Sequence, residues 1–190
     1  MRIIAGKNKG KVLNGFKLET TRPTSDLVKQ ALFNIISFKI ENSVFLDLFG
    51  GTGACGIEAI SRGTKQVVFV DNNKESVKLI NANLKLINAK NYIILNKNYD
   101  LALNQLKEEN MHFDIIFIDP PYKSDFAETS INFIINNNLL NEDGLIVWEH
   151  DKDKLAMIDN VGCFKTKKYG IKYLSYCYKD NLKSINIQNN

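Results

Sequence analysis

Asp119-Pro120-Pro121-Tyr122 puts a carboxylate, two prolines and an aromatic ring into consecutive positions. Neither proline has a backbone N–H, and both hold φ near about −65°, so the segment cannot extend a β-ladder and is stiff before any ligand arrives. Asp119 and the Pro120 carbonyl can each accept one hydrogen of an –NH₂ group, and Tyr122 can stack on the ring that carries it. These four are the catalytic candidates, and they suit a flat aryl amine. The plain alternative is a strand end closed by a Pro-Pro turn with Tyr122 as packing.

A second set of residues supplies what the first lacks. Gly51, Gly53 and Gly56 stand in GxGxxG spacing, between one apolar run and the start of a helical one, which is the context that motif requires. Glycines there let the backbone turn tightly and let a ligand approach closely. Asp71 follows Asp47 by 24 positions, close to the roughly 20-residue offset at which an acid takes ribose hydroxyls. Asn98 stands in a later loop, where an amide can meet a nucleobase edge. The cofactor-side candidates are Asp47, Phe49, Gly50, Gly51, Gly53, Asp71, Asn72 and Asn98. Hydride transfer would leave the amine receptor unused. Methyl transfer from S-adenosylmethionine to an exocyclic amine uses both sets.

The elements that must position these groups follow from periodicity. Val44–Phe49, Gln66–Val70, Tyr92–Leu95, Asp114–Ile118 and Gly144–Glu149 read as buried strands. Between them, helices are expected after Gly56, over 74–88, over 101–109 and over 131–138. Ahead of them Leu27, Val28, Ala31, Leu32, Ile35 and Ile36 mark one apolar helix face, with Thr24 as N-cap and Asp26 favouring the positive end of the dipole. Alternation of strand and helix predicts a doubly wound, mostly parallel α/β sheet. Strands one and four can then lie side by side, so that both ligand loops face one crevice. Residues 164–178 are broken by Gly170 into two short strands, an antiparallel hairpin closing the sheet.

Composition bounds the rest. The 190 residues are 44% hydrophobic and 24% charged, a globular balance, with no run of the 18 or so apolar residues a membrane span needs. The N-terminus lacks the apolar stretch of a signal peptide, so a cytoplasmic, monomeric protein is expected. Cys55, Cys163 and Cys177 show no paired metal spacing. They are expected to be reduced, with no metal bound. Residues 1–23 carry six basic side chains against Glu19, and residues 165–190 carry six lysines against Asp180, flanking an acidic middle. Two basic ends suit a polyanion, and solvated surface segments are the plain alternative. Gly6 to Gly10 is expected to turn a hairpin with Lys7, Lys9 and Lys11 at its tip. With Arg22 at the helix entrance, these are the RNA-binding candidates. His150 invites a catalytic reading only through its place beside Glu149, and His112 is expected to face solvent. Three units are expected: a basic appendage over 1–23, the α/β domain over 24–180 and a flexible tail over 181–190.

LDLFGGTGACGIEAISRG at 46–63 and DPPY at 119–122 resemble the glycine-rich and catalytic motifs of class I amino-methyltransferases. MRIIAGKNKGK at 1–11 and TRPTSDLVKQALFNII at 21–36 are more particular and resemble the bacterial 16S rRNA guanine-N2 methyltransferase D family, over Met1 to about Tyr178. The resemblance implies a seven-stranded sheet with one antiparallel strand, S-adenosylmethionine as donor, and a guanine of 16S rRNA, free or in the small subunit, as acceptor. It implies that Gly51 and Gly53 line the methionine portion, Asp71 takes the ribose, and Asp119 to Tyr122 hold the guanine. Asp71 stands where the family often has Glu, which shortens the reach to the ribose. Asn98 stands where many class I enzymes have Asp, which removes a charge beside the adenine. DPPY is shared with adenine-N6 enzymes, so an adenine-N6 DNA or RNA methyltransferase is one rival. A non-catalytic RNA-binding assembly factor is the other.

Overall fold

The computed structural model describes residues 1–16, 26–121, 125–151 and 165–178, with Tyr178 in its backbone only. Arg22, Thr24, Tyr122, Cys163 and the tail over 181–190 lie outside the described residues.

The elements run α1 (Asp26–Ile35), β1 (Val44–Asp47), α2 (Ala54–Ser61), β2 (Gln66–Val70), α3 (Lys74–Leu86), β3 (Tyr92–Leu95), α4 (Tyr99–Glu108), β4 (Phe113–Ile118), α5 (Phe126–Asn136), β5 (Leu140–His150), β6 (Lys165–Tyr169) and β7 (Lys172–Tyr178). They build one seven-stranded sheet in the order β3-β2-β1-β4-β5-β7-β6. The five strands from β3 to β5 are mutually parallel, and β7 is antiparallel to both of its neighbours. The expected sheet, its single antiparallel strand and the closing hairpin are all present.

Alternation along the strands sends neighbouring side chains to opposite faces. Phe45, Val67, Phe69, Ile115 and Val147 join one core with α1, α2 and α3, including Phe33, Ile57, Ile80 and Leu84. Leu46, Val68, Val70, Ile116 and Ile146 join a second core with α4 and α5, including Leu103, Leu106, Ile131 and Ile134. Each such buried side chain contributes about 1.5–3 kcal/mol. Gly56 sets how closely α2 lies on the sheet, since a Cβ there would come within 2.2 Å of the Phe69 ring.

Several boundaries differ from the sequence reading; β1 ends at Asp47 rather than Phe49, and α4 begins at Tyr99 rather than Leu101. Helix α5 begins at Phe126 rather than 131; of residues 126–130 only Ala127 and Ser130 are buried, so this stretch carries no apolar period. Strand β5 begins at Leu140 rather than Gly144. Leu140 pairs with Phe113 before the register resumes at Leu145 opposite Ile115, so 141–144 bulge out of the ladder. Cys55 is a buried free thiol, as expected. Cys177 is disulfide-bonded, against the expectation of three reduced cysteines. A pairing made by tertiary proximity leaves no spacing signature. Among the described residues no helix is long and apolar enough to cross a membrane.

Candidate active site

β1 and β4 lie side by side, with Asp47 opposite Phe117, so the loops that leave them open into the same space. That space is a cavity of about 1630 Å³. Asp47, Phe49, Gly50, Gly51, Asp71, Asn72, Asn98, Asp119, Pro120 and Pro121 all line it. Gly53 stands one step back, as the N-cap of α2, donating its N–H to the Gly50 carbonyl at 2.7 Å.

The glycine-loop side is tied to the sheet by hydrogen bonds. Gly50 donates to the Val70 carbonyl at 2.8 Å. Asp71 accepts from the Gly51 N–H at 2.8 Å through Oδ2 and from the Asn73 N–H at 2.8 Å through Oδ1. Each oxygen keeps a second lone pair for a ligand hydroxyl. Asn98 Oδ1 accepts from Asn72 Nδ2 at 2.9 Å, which joins the loops after β2 and β3. Asp47 is buried and accepts the Gly56 N–H at 2.9 Å. Burial, reinforced by the charges of Asp119 and Asp71, pushes its carboxyl up to about 7 against the pull of the Gly56 bond. Burial, followed by the Asp47 charge, likewise raises the Cys55 thiol well above its usual range, so it is no thiolate nucleophile.

On the other side the chain leaves β4 through Asp119, Pro120 and Pro121, and the cavity wall continues into Phe126 at the start of α5. Here the sequence reading missed an aromatic cluster. Tyr99 lies 5.6 Å from Phe49 and 4.8 Å from Phe126, and Phe49 and Phe126 are near-parallel at 6.5 Å. All three rings line the cavity. The one available signal was that Tyr99 directly follows Asn98. Glu149 on β5 was noticed only as a neighbour of His150. It is buried, its Oε2 has no hydrogen-bond partner among the described residues, and Lys172 Nζ stands 3.8 Å from Oε1. Burial first, then the Asp119 charge, pushes its carboxyl well up.

His150 takes a structural place. Its Nε2 meets Ser175 Oγ at 2.7 Å, its Nδ1 meets the Asp151 carbonyl at 2.8 Å, and its ring packs between Trp148 and Tyr173. It does not line the cavity. His112 is exposed, as expected.

The basic N-terminal segment folds as the expected hairpin. Ile3 donates to the Lys11 carbonyl at 3.0 Å, Gly10 to Ile3 at 2.9 Å, and Arg2 bridges Val12. Lys7 and Lys9 are exposed, whereas Lys11 Nζ reaches the Leu86 carbonyl at 3.2 Å, capping the negative end of α3. Its attachment to α2 was not foreseen. Glu58 accepts the N–H groups of Ile4 and Ala5 at 2.8 and 2.9 Å, Arg62 Nε at 2.9 Å, and lies 3.5 Å from the buried Lys29 ammonium. Lys29 also donates to the Arg2 carbonyl at 2.6 Å. Gly6 passes so close to α2 that a Cβ would fall 1.9 Å from the Ser61 carbonyl oxygen, at a φ of +80°.

Residues 1–178 match the family model described as conserved hypothetical protein 95. The chain is 36% identical to ribosomal RNA small subunit methyltransferase D of Haemophilus influenzae, over 90% of each chain. The structure of a hypothetical protein from Thermus thermophilus superposes with a TM-score of 0.82 at 27% identity, covering 93% of this chain and 98% of that one. A 16S rRNA N2 methyltransferase of the same species, in complex with AdoMet and guanosine, superposes with a TM-score of 0.69 at 24% identity, covering 86% of this chain and 44% of that one, a likeness of fold.

Proposed function

The chain belongs to the family described as conserved hypothetical protein 95, and on that footing we propose that it transfers a methyl group from S-adenosylmethionine to the exocyclic N2 amine of a guanine in 16S ribosomal RNA. The observation that carries the reading is the meeting of two unlike loops in one cavity: the glycine loop after β1 with Asp71, and the Asp119-Pro120-Pro121 turn after β4. The relative's name supports ribosomal RNA methylation. The choice of guanine N2 rests on the resemblance of the N-terminal stretches and on the amine-accepting character of Asp119 and Pro120.

The residues fit the donor. Asp71 offers lone pairs to ribose hydroxyls, Asn72 and Asn98 offer amides to a base edge, and the glycine loop leaves room for the methionine portion. When bound, the donor supplies an electrophilic methyl on a sulfonium. The chain does the rest. A guanine amine is a poor nucleophile because its lone pair is delocalised into the ring. Asp119 and the Pro120 carbonyl, by accepting its two hydrogens, favour a pyramidal nitrogen whose lone pair points at the methyl. Positive charge grows on that nitrogen in the transition state, so the carboxylate is worth more there than in the ground state. As the bond forms, one amine proton is released, with Asp119 its nearest acceptor. A base in structured RNA must swing out of its stack to enter. The lysines Lys7 and Lys9, with Arg22, are assigned to phosphate contacts.

Incubation with labelled donor and either 16S rRNA or small subunits, followed by nucleoside chromatography, tests the reading. N2-methylguanosine is expected. N6-methyladenosine would assign the adenine alternative. Donor binding without any labelled nucleoside would leave a non-catalytic RNA-binding factor.

A further inference from the structure

The N-terminal hairpin does not end at the basic tip. Its returning strand continues through Asn14, Gly15 and Phe16, and these three residues line the same cavity as Gly50, Gly51 and Thr52. One side chain makes that junction. Asn83, in the third turn of α3, is fully buried. Its Oδ1 accepts the Asn14 N–H at 2.8 Å and Asn14 Nδ2 at 3.0 Å. Its Nδ2 donates to the Asn14 carbonyl at 3.1 Å and to the Thr52 carbonyl at 3.0 Å. A single amide therefore holds the hairpin's outgoing strand and the glycine loop in fixed register, with every polar position used. The other end of the hairpin is clamped on α2 by Glu58 and by Ser61, whose Oγ donates to the Ala5 carbonyl at 2.6 Å and accepts the Asn8 N–H at 3.0 Å. Between these clamps stand Lys7 and Lys9, exposed to solvent.

We infer that residues 14–16 are a wall of the donor pocket and that Asn83 is the positioning residue that holds this wall to the glycine loop. This rests on the reading of the cavity as an S-adenosylmethionine site. The physical argument is preorganisation. A wall already in register with the glycine loop spares the donor the cost of ordering it on binding. A hairpin that served only as an RNA handle would not need to deliver its strand to the cavity, nor to share an amide with Thr52.

The test is calorimetric titration of S-adenosylhomocysteine into the full chain, Phe16→Ala and Asn83→Ala, each at a temperature well below its melting midpoint. Phe16→Ala removes wall without touching the clamp, and should weaken binding several-fold at an unchanged melting temperature. Asn83→Ala should weaken binding in its folded fraction. A role in stability alone would lower the melting temperature and leave affinity intact in the folded fraction, which overturns the inference. So does wild-type affinity in Phe16→Ala, an outcome readable even if Asn83→Ala fails to fold. No binding of S-adenosylhomocysteine to the unaltered chain would sink the reading of the cavity itself, and this inference with it.

Discussion

The two halves of the cavity are made rigid by different means. The glycine-loop half is held by hydrogen bonds between distant elements. Asp71 fastens Gly51 and Asn73, Asp47 fastens Gly56, and Asn98 meets Asn72. The half that follows β4 is stiffened covalently, since two successive prolines fix φ. A carboxylate in the first half is at once a ligand group and a strut. Asp119 follows the last strand residue and precedes two prolines whose φ is fixed by their own rings, whatever side chain stands at 119. Binding and stability should therefore move together on one side and separate on the other.

Asp119→Ala is the strongest way to break that comparison. Turnover should fall by about 10²–10³, as for loss of one group that stabilises a transition state, with S-adenosylhomocysteine affinity and melting temperature near those of the parent. Single-turnover kinetics beside a thermal melt would show it, and a mutant that turns over normally would reduce Asp119 to a turn residue. Asp71→Ala should weaken the same ligand by about 1.5–3 kcal/mol and, unlike Asp119→Ala, also lower the melting temperature, because the Gly51 and Asn73 N–H groups lose their acceptor. Weakened affinity at an unchanged melting temperature would erase the difference between the halves.

Asp47→Asn sharpens the comparison through pH. The folded chain holds a proton on Asp47 up to about pH 7, whereas the unfolded chain releases it near 3.8. Between those values the native state binds the extra proton, so stability falls as pH rises, by at most about 1.4 kcal/mol per pH unit for one group. Asn cannot ionise and its Oδ1 can still accept the Gly56 N–H. The variant should match the parent near pH 4 and exceed it near pH 8 in urea melts. The raised Glu149 carboxyl, with the same sign, leaves a residual slope. Parallel profiles for parent and variant would contradict the burial argument.

The smallest effect is expected farthest from both halves. Lys7→Gln with Lys9→Gln should reduce the salt slope of RNA binding by about one to two units, leaving the melting temperature unmoved. Lys11 is excluded from that pair because its ammonium caps α3. Unchanged RNA affinity at low and high salt would move the search to the exposed Lys165, Lys167 and Lys168 on the edge strand β6.

What the sequence disclosed was what local pattern encodes. Apolar runs located all five parallel strands, and alternation with helices allowed β1 to lie beside β4, the arrangement that brings Gly51, Asp71 and Asp119 to one cavity. The opening of α5 and the bulge after Leu140 escaped because their few buried residues carry no clear period. Glu58 and Asn83 escaped for another reason. Glu58 takes the Ile4 and Ala5 N–H groups from 54 and 53 residues away, and Asn83 bonds Asn14 from 69 away. A charged or amide side chain in mid-helix reads as solvated until tertiary structure supplies what it bonds. Tyr99 and Phe126 meet at 4.8 Å from different helices, and neither position has a local mark that distinguishes it from packing.

The buried junction of Lys29, Glu58 and the first residues of the chain also sets a clock. Ile4 and Ala5 are made first, yet their acceptor, Glu58, comes 53 to 54 residues later. At translation speeds of about 5–20 residues per second, Ile4 and Ala5 wait on the order of 3–11 s for their acceptor to be made, and longer for it to leave the ribosome. Until then Lys29 must remain in water, because its ammonium has no carboxylate to be buried against. Residues 4 and 5 therefore stay unpaired until α2 exists, and a pause in synthesis before residue 58 would prolong the interval in which they are open to proteases.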